Sequence, residues 1–220
     1  MDQQPNAKVI VDGNTFELPV IVGTEGERGI DISKLRSLTN YVTFDRGFGN
    51  TSNCASSITF LDGEVGVLRY RGYPIEQLAE QSSFIETAYL LIYGELPTAD
   101  QLRNFSESFT QHSMLHEDMK NFFDGFPSSA HPMAILASMV CSLSAYYPGI
   151  DTLNPTKADF DRIVVMLMSK IRTIAAFAYK KSIGEPFTYP RHDLEYIPNF
   201  LNMMYSSPTR QYKIYDEVVQ

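Results

Sequence analysis

The side chains best suited to chemistry in this sequence are its four histidines and two cysteines. His112 and His116 lie four residues apart, a spacing that would place two imidazoles on one face of a helix, as a pair of metal ligands requires. Glu117 follows directly, which is not the His-Glu-x-x-His order, and no third ligand has a matching spacing. We therefore predict no metal site here and expect two partly exposed helix histidines.

The other two histidines have local explanations. His131 precedes Pro132 at the start of an apolar stretch, where we expect it to contribute to the cap of a helix. His192 stands between Arg191 and Asp193 in a loop-like segment, and this arrangement favours a structural ion pair. Neither position predicts a catalytic group.

The common catalytic motifs are missing from the 220 residues. There is no Gly-x-Ser-x-Gly elbow, no P-loop and no complete Gly-x-Gly-x-x-Gly string, and Gly47-Phe48-Gly49 is more typical of a turn. Cys54 and Cys141 lack the spacing of a zinc framework, and we expect Cys141 to be a packing residue of an apolar helix. The motifs alone indicate no active site.

Composition narrows the class of protein. The chain has 18 basic and 26 acidic side chains, a net charge of −8 and 44% hydrophobic residues, which is typical of a globular protein. A general nucleic-acid binder would need clustered cations, so we predict no nucleic-acid partner. The polar N-terminus lacks the apolar core of a secretory signal, and the longest nearly apolar stretch, Met133–Tyr147, is too short to span a bilayer. We expect a cytoplasmic protein with reduced thiols and no membrane partner.

We predict that residues 1–73 form a β-rich N-terminal segment with two hairpins. Strand-like alternation on both sides of Asp12-Gly13 indicates the first hairpin. The second has Asp62-Gly63 between the β-prone runs 57–61 and 65–70.

Residues 74–220 predict the helical part of a large domain. Ser83 with Glu86 and Thr98 with Gln101 form capping boxes that begin two helices. The apolar spacing predicts four more helices, over about 117–123, from His131 to Pro148-Gly149, from Asn154-Pro155 to about Lys181, and through Phe200 to Tyr205 with Asp193 as the cap. We expect the methionines of the longer helices to lie in the core, namely Met133, Met139, Met166, Met168, Met203 and Met204.

The last residues have the pattern of a helix start. Residues 216–220 look like a first helical turn with no second turn after it, and a single turn is unstable alone because helix nucleation is costly. The expectation is a fragment truncated inside a helix at its C-terminal end, with a frayed tail as the alternative.

Several strings, taken together and in order, resemble the citrate synthase family. They span nearly the whole chain, and the β-rich first 50 residues resemble the extension of the longer, type II bacterial members. The strings are Ser57-Ile58-Thr59-Phe60-Leu61-Asp62-Gly63, Gly66 to Ile75, Tyr89 to Thr98, His131-Pro132-Met133, Tyr179 to Phe187, Pro190 to Leu194 and Asn199 to Met204.

The resemblance implies a mainly α fold, the helical large domain of citrate synthase with a small β-rich N-terminal extension. It also implies condensation of acetyl-CoA with oxaloacetate and water to give citrate and CoA, in the tricarboxylic acid cycle. In the family an Asp removes a methyl proton, one His stabilises the enol, a second His donates to the oxaloacetate carbonyl, and arginines clamp the carboxylates. The strings that carry these groups follow the position of Gln220 in the family. We therefore assign no catalytic residue here and expect the fragment itself to be inactive.

The resemblance also implies one candidate effector site. Some type II members bind NADH as an allosteric inhibitor, but Gln111 and Met166 stand where the inhibited members carry arginines. Loss of two cations weakens the binding of a pyrophosphate, so we favour ordinary surface helix residues over an NADH pocket. The positions that match the pocket in identity or type are His112, Ser113, Met114, Tyr147 and Lys170.

Two alternatives stay open at this point. A 2-methylcitrate synthase would use propionyl-CoA, and the residues of the acyl pocket do not lie in this stretch. A non-catalytic helical module that associates with itself is the other alternative, since the apolar segments Met133–Tyr147 and Ile163–Tyr179 suit a subunit interface as well as a core. Family members are dimers or hexamers, so the resemblance implies a homodimer or a hexamer.

Overall fold

The computed structural model describes residues 5–148 and 154–219. The predicted helix end at Gly149, the first four residues of the polar N-terminus and Gln220 lie outside the described residues. The chain divides into two compact units, Met1–Ser57 and Ile58–Gln220. The second hairpin therefore belongs to the same unit as the helices, and the boundary after residue 73 stays a prediction.

The first unit contains a three-stranded antiparallel sheet in the order β1-β2-β3. Val9 pairs with Phe16 across the first hairpin, and Leu18 and Val20 are buried, so the predicted alternation is confirmed. Asp12 and Gly13 have φ angles of 51° and 79°, and a tight two-residue turn needs such positive values. The elements are β1 (Asn6–Val11), β2 (Asn14–Val22), β3 (Arg28–Ile30) and a short helix α1 (Leu35–Thr39).

The second unit begins with another antiparallel sheet, formed by β4 (Thr59–Asp62), β5 (Val67–Tyr70) and β6 (Tyr73–Pro74). Asp62 pairs with Val67, so residues 63–66 form the turn, and the strands begin and end close to the predicted runs 57–61 and 65–70. The carboxylate of Asp62 accepts hydrogen bonds from the main-chain N–H groups of Glu64 and Val65, which stabilises this turn. The hairpin itself is confirmed.

Helices make up most of the second unit, as predicted, and their N-termini follow the local sequence. The capping boxes at Ser83 and Thr98 both form, His131 accepts a hydrogen bond from Met133 N, and Thr156 with Asp159 forms a third capping box. The helices are α2 (Ile75–Gln81), α3 (Phe84–Tyr93), α4 (Ala99–Gln111), α5 (Lys120–Asp124), α6 (Pro132–Tyr146), α7 (Lys157–Ser182), α8 (Tyr196–Tyr205) and α9 (Asp216–Val219). None of these is long and apolar enough to cross a membrane.

The N-terminus of α8 differs from its prediction. Glu195 occupies the cap position without a side-chain cap bond, so the predicted cap at Asp193 is wrong. The carboxylate of Asp193 instead pairs with the guanidinium of Arg191, at 2.5 Å and 2.9 Å. The ion pair with Arg191 therefore takes the place of the helix cap that we predicted for the Asp193 carboxylate. The ion pair predicted for this loop is confirmed.

Two clusters of buried side chains form the helical core. Helices α6 and α7 pack through Ile135, Met139, Leu143, Ile174 and Phe177, and Ile85, Phe105 and Phe109 form the second cluster. The core positions predicted for Met139 and Met203 are confirmed. Those predicted for Met133, which is 60% exposed, and for Cys141, which is also exposed, are wrong. Both lie on the face of α6 that turns away from α7.

Candidate functional site

The residues for which the family resemblance implies an NADH pocket lie at one junction, where α4 ends, α6 ends and α7 passes. The ammonium of Lys170 donates to the main-chain oxygens of His112 and Met114, at 2.9 Å and 2.6 Å. It also lies over the ring of Tyr147, 4.4 Å from the centroid. His112 is the C-terminal cap of α4, so Lys170 fixes the segment that leaves this helix.

Ser113 completes the group as a buried anchor. Its main-chain oxygen accepts a hydrogen bond of 2.8 Å from Thr173 Oγ1, and its own hydroxyl donates to Thr110 O at 2.7 Å. Thr173 lies one turn after Lys170 on α7, so two neighbouring side chains of one helix hold the same loop. We call residues 112–116 the junction loop.

Arg172 is a second buried cation that the sequence reasoning missed. Its guanidinium donates to Tyr196 O at 2.8 Å and to Phe109 O at 3.5 Å, and lies 4.4 Å from the centroid of the Tyr196 ring. The only signal in the sequence is an arginine between Ile171 and Thr173 on a long, largely apolar helix. Lys170 and Arg172 together place positive charge at the C-terminal end of α4, where the helix dipole is negative.

The junction shields these two cations from water. Both side chains belong to residues that are 4% exposed. Within the described parts of the chain, neither forms an ion pair with a carboxylate. Desolvation lowers the pKa of Lys170 to about 8 and also lowers the pKa of Arg172, while burial raises the pKa of the Tyr147 phenol.

The interpretation of this group as ordinary surface helix residues is wrong for Ser113 and Lys170, which are buried. His112, Met114 and Gln111 do remain exposed at the rim of the junction. The exposed His112 ring uses Nδ1 in a 2.9 Å contact with Ser108 O. The five residues of the predicted group therefore lie close together in the structure, and the positive charge of Lys170 is directed at main-chain carbonyls.

Three of the four histidines serve as helix caps. His112 ends α4, His116 begins a 3-10 helix (Glu117–Met119), and His131 begins α6. The Nδ1 atoms of His116 and His131 accept hydrogen bonds of 3.2 Å from Asp118 N and Met133 N. His112 and His116 are the first and last residues of the junction loop. Both are exposed, as predicted, but neither lies inside a helix, so the predicted helical position is wrong. Residues 5–148 and 154–219 contain no group of three or more His, Cys, Asp or Glu that could hold a metal.

His192 lies elsewhere, at an open groove of about 1510 Å³ between α2, α3, α4, α8 and α9. The rings of Phe84 and Tyr196, which both line this groove, stack with centroids 5.4 Å apart. Arg103 and Glu107 line the same groove from α4. These groups do not amount to an acid–base pair, and the groove supports no catalytic assignment.

Comparisons with a family model and with curated proteins both match this chain to citrate synthases. A family model described as citrate synthase, C-terminal domain, matches residues 47–219. Two curated relatives, citrate synthase 1 from two strains of Mycobacterium tuberculosis (CDC 1551 / Oshkosh and ATCC 25618 / H37Rv), are each 49% identical over 220 residues. The match covers 100% of this chain and 51% of each relative, so the chain spans about half the length of the curated relatives it matches.

Solved structures have the same fold. A citrate synthase from Thermotoga maritima is 32% identical with a TM-score of 0.63, covering 74% of this chain and 42% of that one. A citrate synthase from Thermoplasma acidophilum, in a ternary complex with carboxymethyl coenzyme A and oxaloacetate, has a TM-score of 0.68. That second match covers 78% of this chain and 44% of the other, and at 22% identity it supports the fold alone.

Proposed function

We propose, from the premise that this chain belongs to the citrate synthase family, that it forms part of an enzyme that condenses acetyl-CoA with oxaloacetate and water to give citrate and CoA. The observation that carries this proposal is the 49% identity to citrate synthase 1 along the whole chain, together with the family match over residues 47–219. The mostly helical fold agrees with it.

The local roles of the histidines support a scaffold function for these residues. Deprotonation of the acetyl methyl group, a weak carbon acid, requires a positioned base and hydrogen-bond donors for the developing oxyanion. His112, His116 and His131 cap helices, and none of the ion pairs in the described parts of the chain involves His192. We propose that the base, both donors and the carboxylate clamps belong to the half of the relatives that this chain does not match.

A chimera tests this proposal. Residues 1–219 would be joined to the remaining half of the M. tuberculosis relative, and CoA release would be followed with oxaloacetate and either acetyl-CoA or propionyl-CoA. We expect turnover by the chimera, faster with acetyl-CoA, and none above background by either half alone. A folded but inactive chimera would contradict the proposal, as would turnover by this chain alone. Faster turnover with propionyl-CoA would favour the 2-methylcitrate alternative.

We also propose that the protein is a homo-oligomer whose subunits meet through α6 and α7. Helix α6 carries no charged residue over 15 positions and exposes Met133 and Cys141. Helix α7 exposes Phe160, Leu167 and Ile171 at helical spacing. Apolar side chains that recur along one face of a helix are typical of a buried interface.

A second candidate function is an NADH response at the junction. The meeting of Lys170, Tyr147 and the junction loop in one place supports a common site. We expect weak binding for two reasons. Residues 111 and 166 supply no cations, and the ammonium of Lys170 already has two carbonyls and a ring as partners.

Calorimetric titration with NADH tests this second proposal. We expect saturation only in the millimolar range, and Gln111→Arg together with Met166→Arg should tighten binding at least tenfold, because charged hydrogen bonds contribute about 1.5–3 kcal/mol each. Micromolar binding by the unaltered protein would contradict the predicted weakness. No binding by either protein would contradict the site.

A further inference from the structure

Lys170 is a buried cation whose partners among the described residues are uncharged. Two of its three N–H groups point to the main-chain oxygens of His112 and Met114, and the ammonium faces the ring of Tyr147. The residue is 4% exposed, so water contributes little to its solvation. Such a site tolerates an ammonium ion less well than water does, because burial disfavours the charged form.

Within the described residues, the carboxylate of Asp118 lies 3.7 Å from His116 Nδ1 at the end of the junction loop, and Lys170 itself forms no ion pair that would offset this cost. The titratable side chains of the junction loop are His112 and His116. The end of α6 contributes Tyr146, whose ring lies 5.0 Å from that of His116, and Tyr147 follows as the C-terminal cap of this helix. On α7 the nearest charged side chain along the chain is Arg172, whose guanidinium is directed to Tyr196 and Phe109. In the described ranges, 5–148 and 154–219, desolvation is the one cause that shifts the pKa of Lys170, and no carboxylate opposes it.

We propose that this junction is a proton-linked latch, in which the junction loop opens as Lys170 becomes hydrated and takes up a proton. In the closed state the amine donates to His112 O and Met114 O and holds the loop on α7. In the open state the amine meets water, where the ammonium form is preferred. The proton comes from solvent, so opening of the loop binds one proton at alkaline pH.

The linkage between protonation of Lys170 and opening of the junction loop determines how the opening depends on pH. The pKa of Lys170 is about 8 in the closed junction, compared with an ordinary value of 10.5. Below pH 8 both states are protonated and opening does not depend on pH. Between pH 8 and 10.5 the closed state has lost its proton while the open state retains it, so rising pH favours the closed loop. The equilibrium constant for opening of the loop therefore falls by about tenfold per pH unit in this range, and by about 300-fold between pH 8 and 10.5.

Two measurements on the intact chain test the latch. The first is a pH titration of the Lys170 side chain by NMR with ¹³C-labelled lysine, assigned by the signal that is lost in Lys170→Arg. The second is pulsed hydrogen exchange of residues 110–119, with each rate divided by the intrinsic exchange rate at the same pH. Residues 84–93 of α3 serve as an internal control in the same experiment.

We expect a titration midpoint near pH 8 and a loop whose protection rises about tenfold per unit above that pH, while α3 shows no such rise. Lys170→Met keeps an unbranched side chain one atom shorter than that of lysine and has no amine, and its loop protection should not change with pH. A midpoint near 10.5 would overturn the latch, as would identical pH profiles for the wild type and Lys170→Met. Should Lys170→Met fail to fold, the wild-type midpoint and the wild-type exchange profile decide the question.

The latch deepens the NADH proposal but does not rest on it, because both measurements are made without nucleotide. If the latch holds and NADH binds through Lys170, binding should take up protons between pH 8 and 10. Calorimetry in two buffers of different ionisation enthalpy measures this uptake. Absence of NADH binding would remove the nucleotide proposal and leave the latch standing.

Discussion

The ammonium of Lys180 and a carboxylate oxygen of Glu185 lie 2.5 Å apart, and the Lys180 side chain has no exposed surface. The same ammonium donates to Ser206 O at 2.6 Å, so one buried charge joins the end of α7 to the segment that follows α8. A buried cation of this kind is tolerated only while its partners remain in place.

Lys180→Met should therefore destabilise the protein substantially. The variant leaves Ser206 O without its buried donor and Glu185 without its cation, and we expect a loss of about 2–3 kcal/mol in the free energy of unfolding. Glu185 is 43% exposed, so its carboxylate can regain water, which keeps the loss below that of a fully buried pair. Urea denaturation at pH 7 measures the difference. Lys181→Met, at the partly exposed neighbour, is the matched control, and equal effects of the two substitutions would contradict this account.

The capping box of α7 should make an acid-sensitive contribution to stability. The Thr156 hydroxyl, followed by the Thr156 N–H, lowers the pKa of the Asp159 carboxyl below its ordinary value of 3.8. A carboxyl whose pKa is lowered on folding stabilises the folded state above its unfolded pKa, and this contribution is lost as the pH falls through the folded pKa. Asp159→Asn should therefore destabilise the protein at pH 7, with a difference from the wild type that shrinks towards pH 3.

Thr156→Ala tests the other half of the same capping box. We expect a loss of about 1 kcal/mol at pH 7, because the substitution removes the acceptor for the Asp159 N–H. Thr156→Ser keeps the hydroxyl and should behave like the wild type in the same urea titrations. A destabilised Thr156→Ser variant would mean that the methyl group, and not the cap, is what matters.

Tyr93 should make a contribution that is lost at alkaline pH. Its hydroxyl donates to Asp161 at 3.1 Å, and burial, followed by this hydrogen bond, raises the pKa of Tyr93 to about 12. A phenol whose pKa is raised on folding stabilises the folded state below pH 10, and the contribution disappears as the pH rises from 10 to 12. We expect Tyr93→Phe to cost about 1 kcal/mol at pH 8 and progressively less above pH 10. Comparison of the two proteins at each pH cancels the other tyrosines, and a constant difference would contradict the assignment.

The parts of the fold that the sequence predicts correctly are those set by interactions between residues close together in the chain. The capping boxes at Ser83 and Thr98 and the hairpin at Asp12-Gly13 involve residues within a few positions of one another, and each is confirmed. The cap at Asp193 fails because a neighbouring guanidinium competes for the same carboxylate. Local patterns cannot rank two partners of similar strength for one side chain.

The junction shows why the candidate site could be predicted only in part. Resemblance to the family singled out residues that the structure places together, but Lys170 reaches carbonyls that lie 56 and 58 positions away in the sequence. Main-chain oxygens carry no residue signature, so no pattern could reveal that the lysine is directed at them. Arg172 was missed for the same reason, since its acceptors are the main-chain oxygens of Phe109 and Tyr196.

The proposed subunit interface should respond to charge on the outer face of α7. Leu167 is 37% exposed and lies between Phe160 and Ile171 on that face. Leu167→Glu would bury a carboxylate without a partner in the interface, a cost of several kcal/mol, and should lower the molar mass measured by light scattering towards that of the monomer. Leu61→Glu places the same charge at an equally apolar residue that is 70% exposed on the β4–β5 hairpin, and should leave the mass unchanged. A monomeric wild type would contradict the interface outright, and equal dissociation by both variants would show that added charge acts without regard to position.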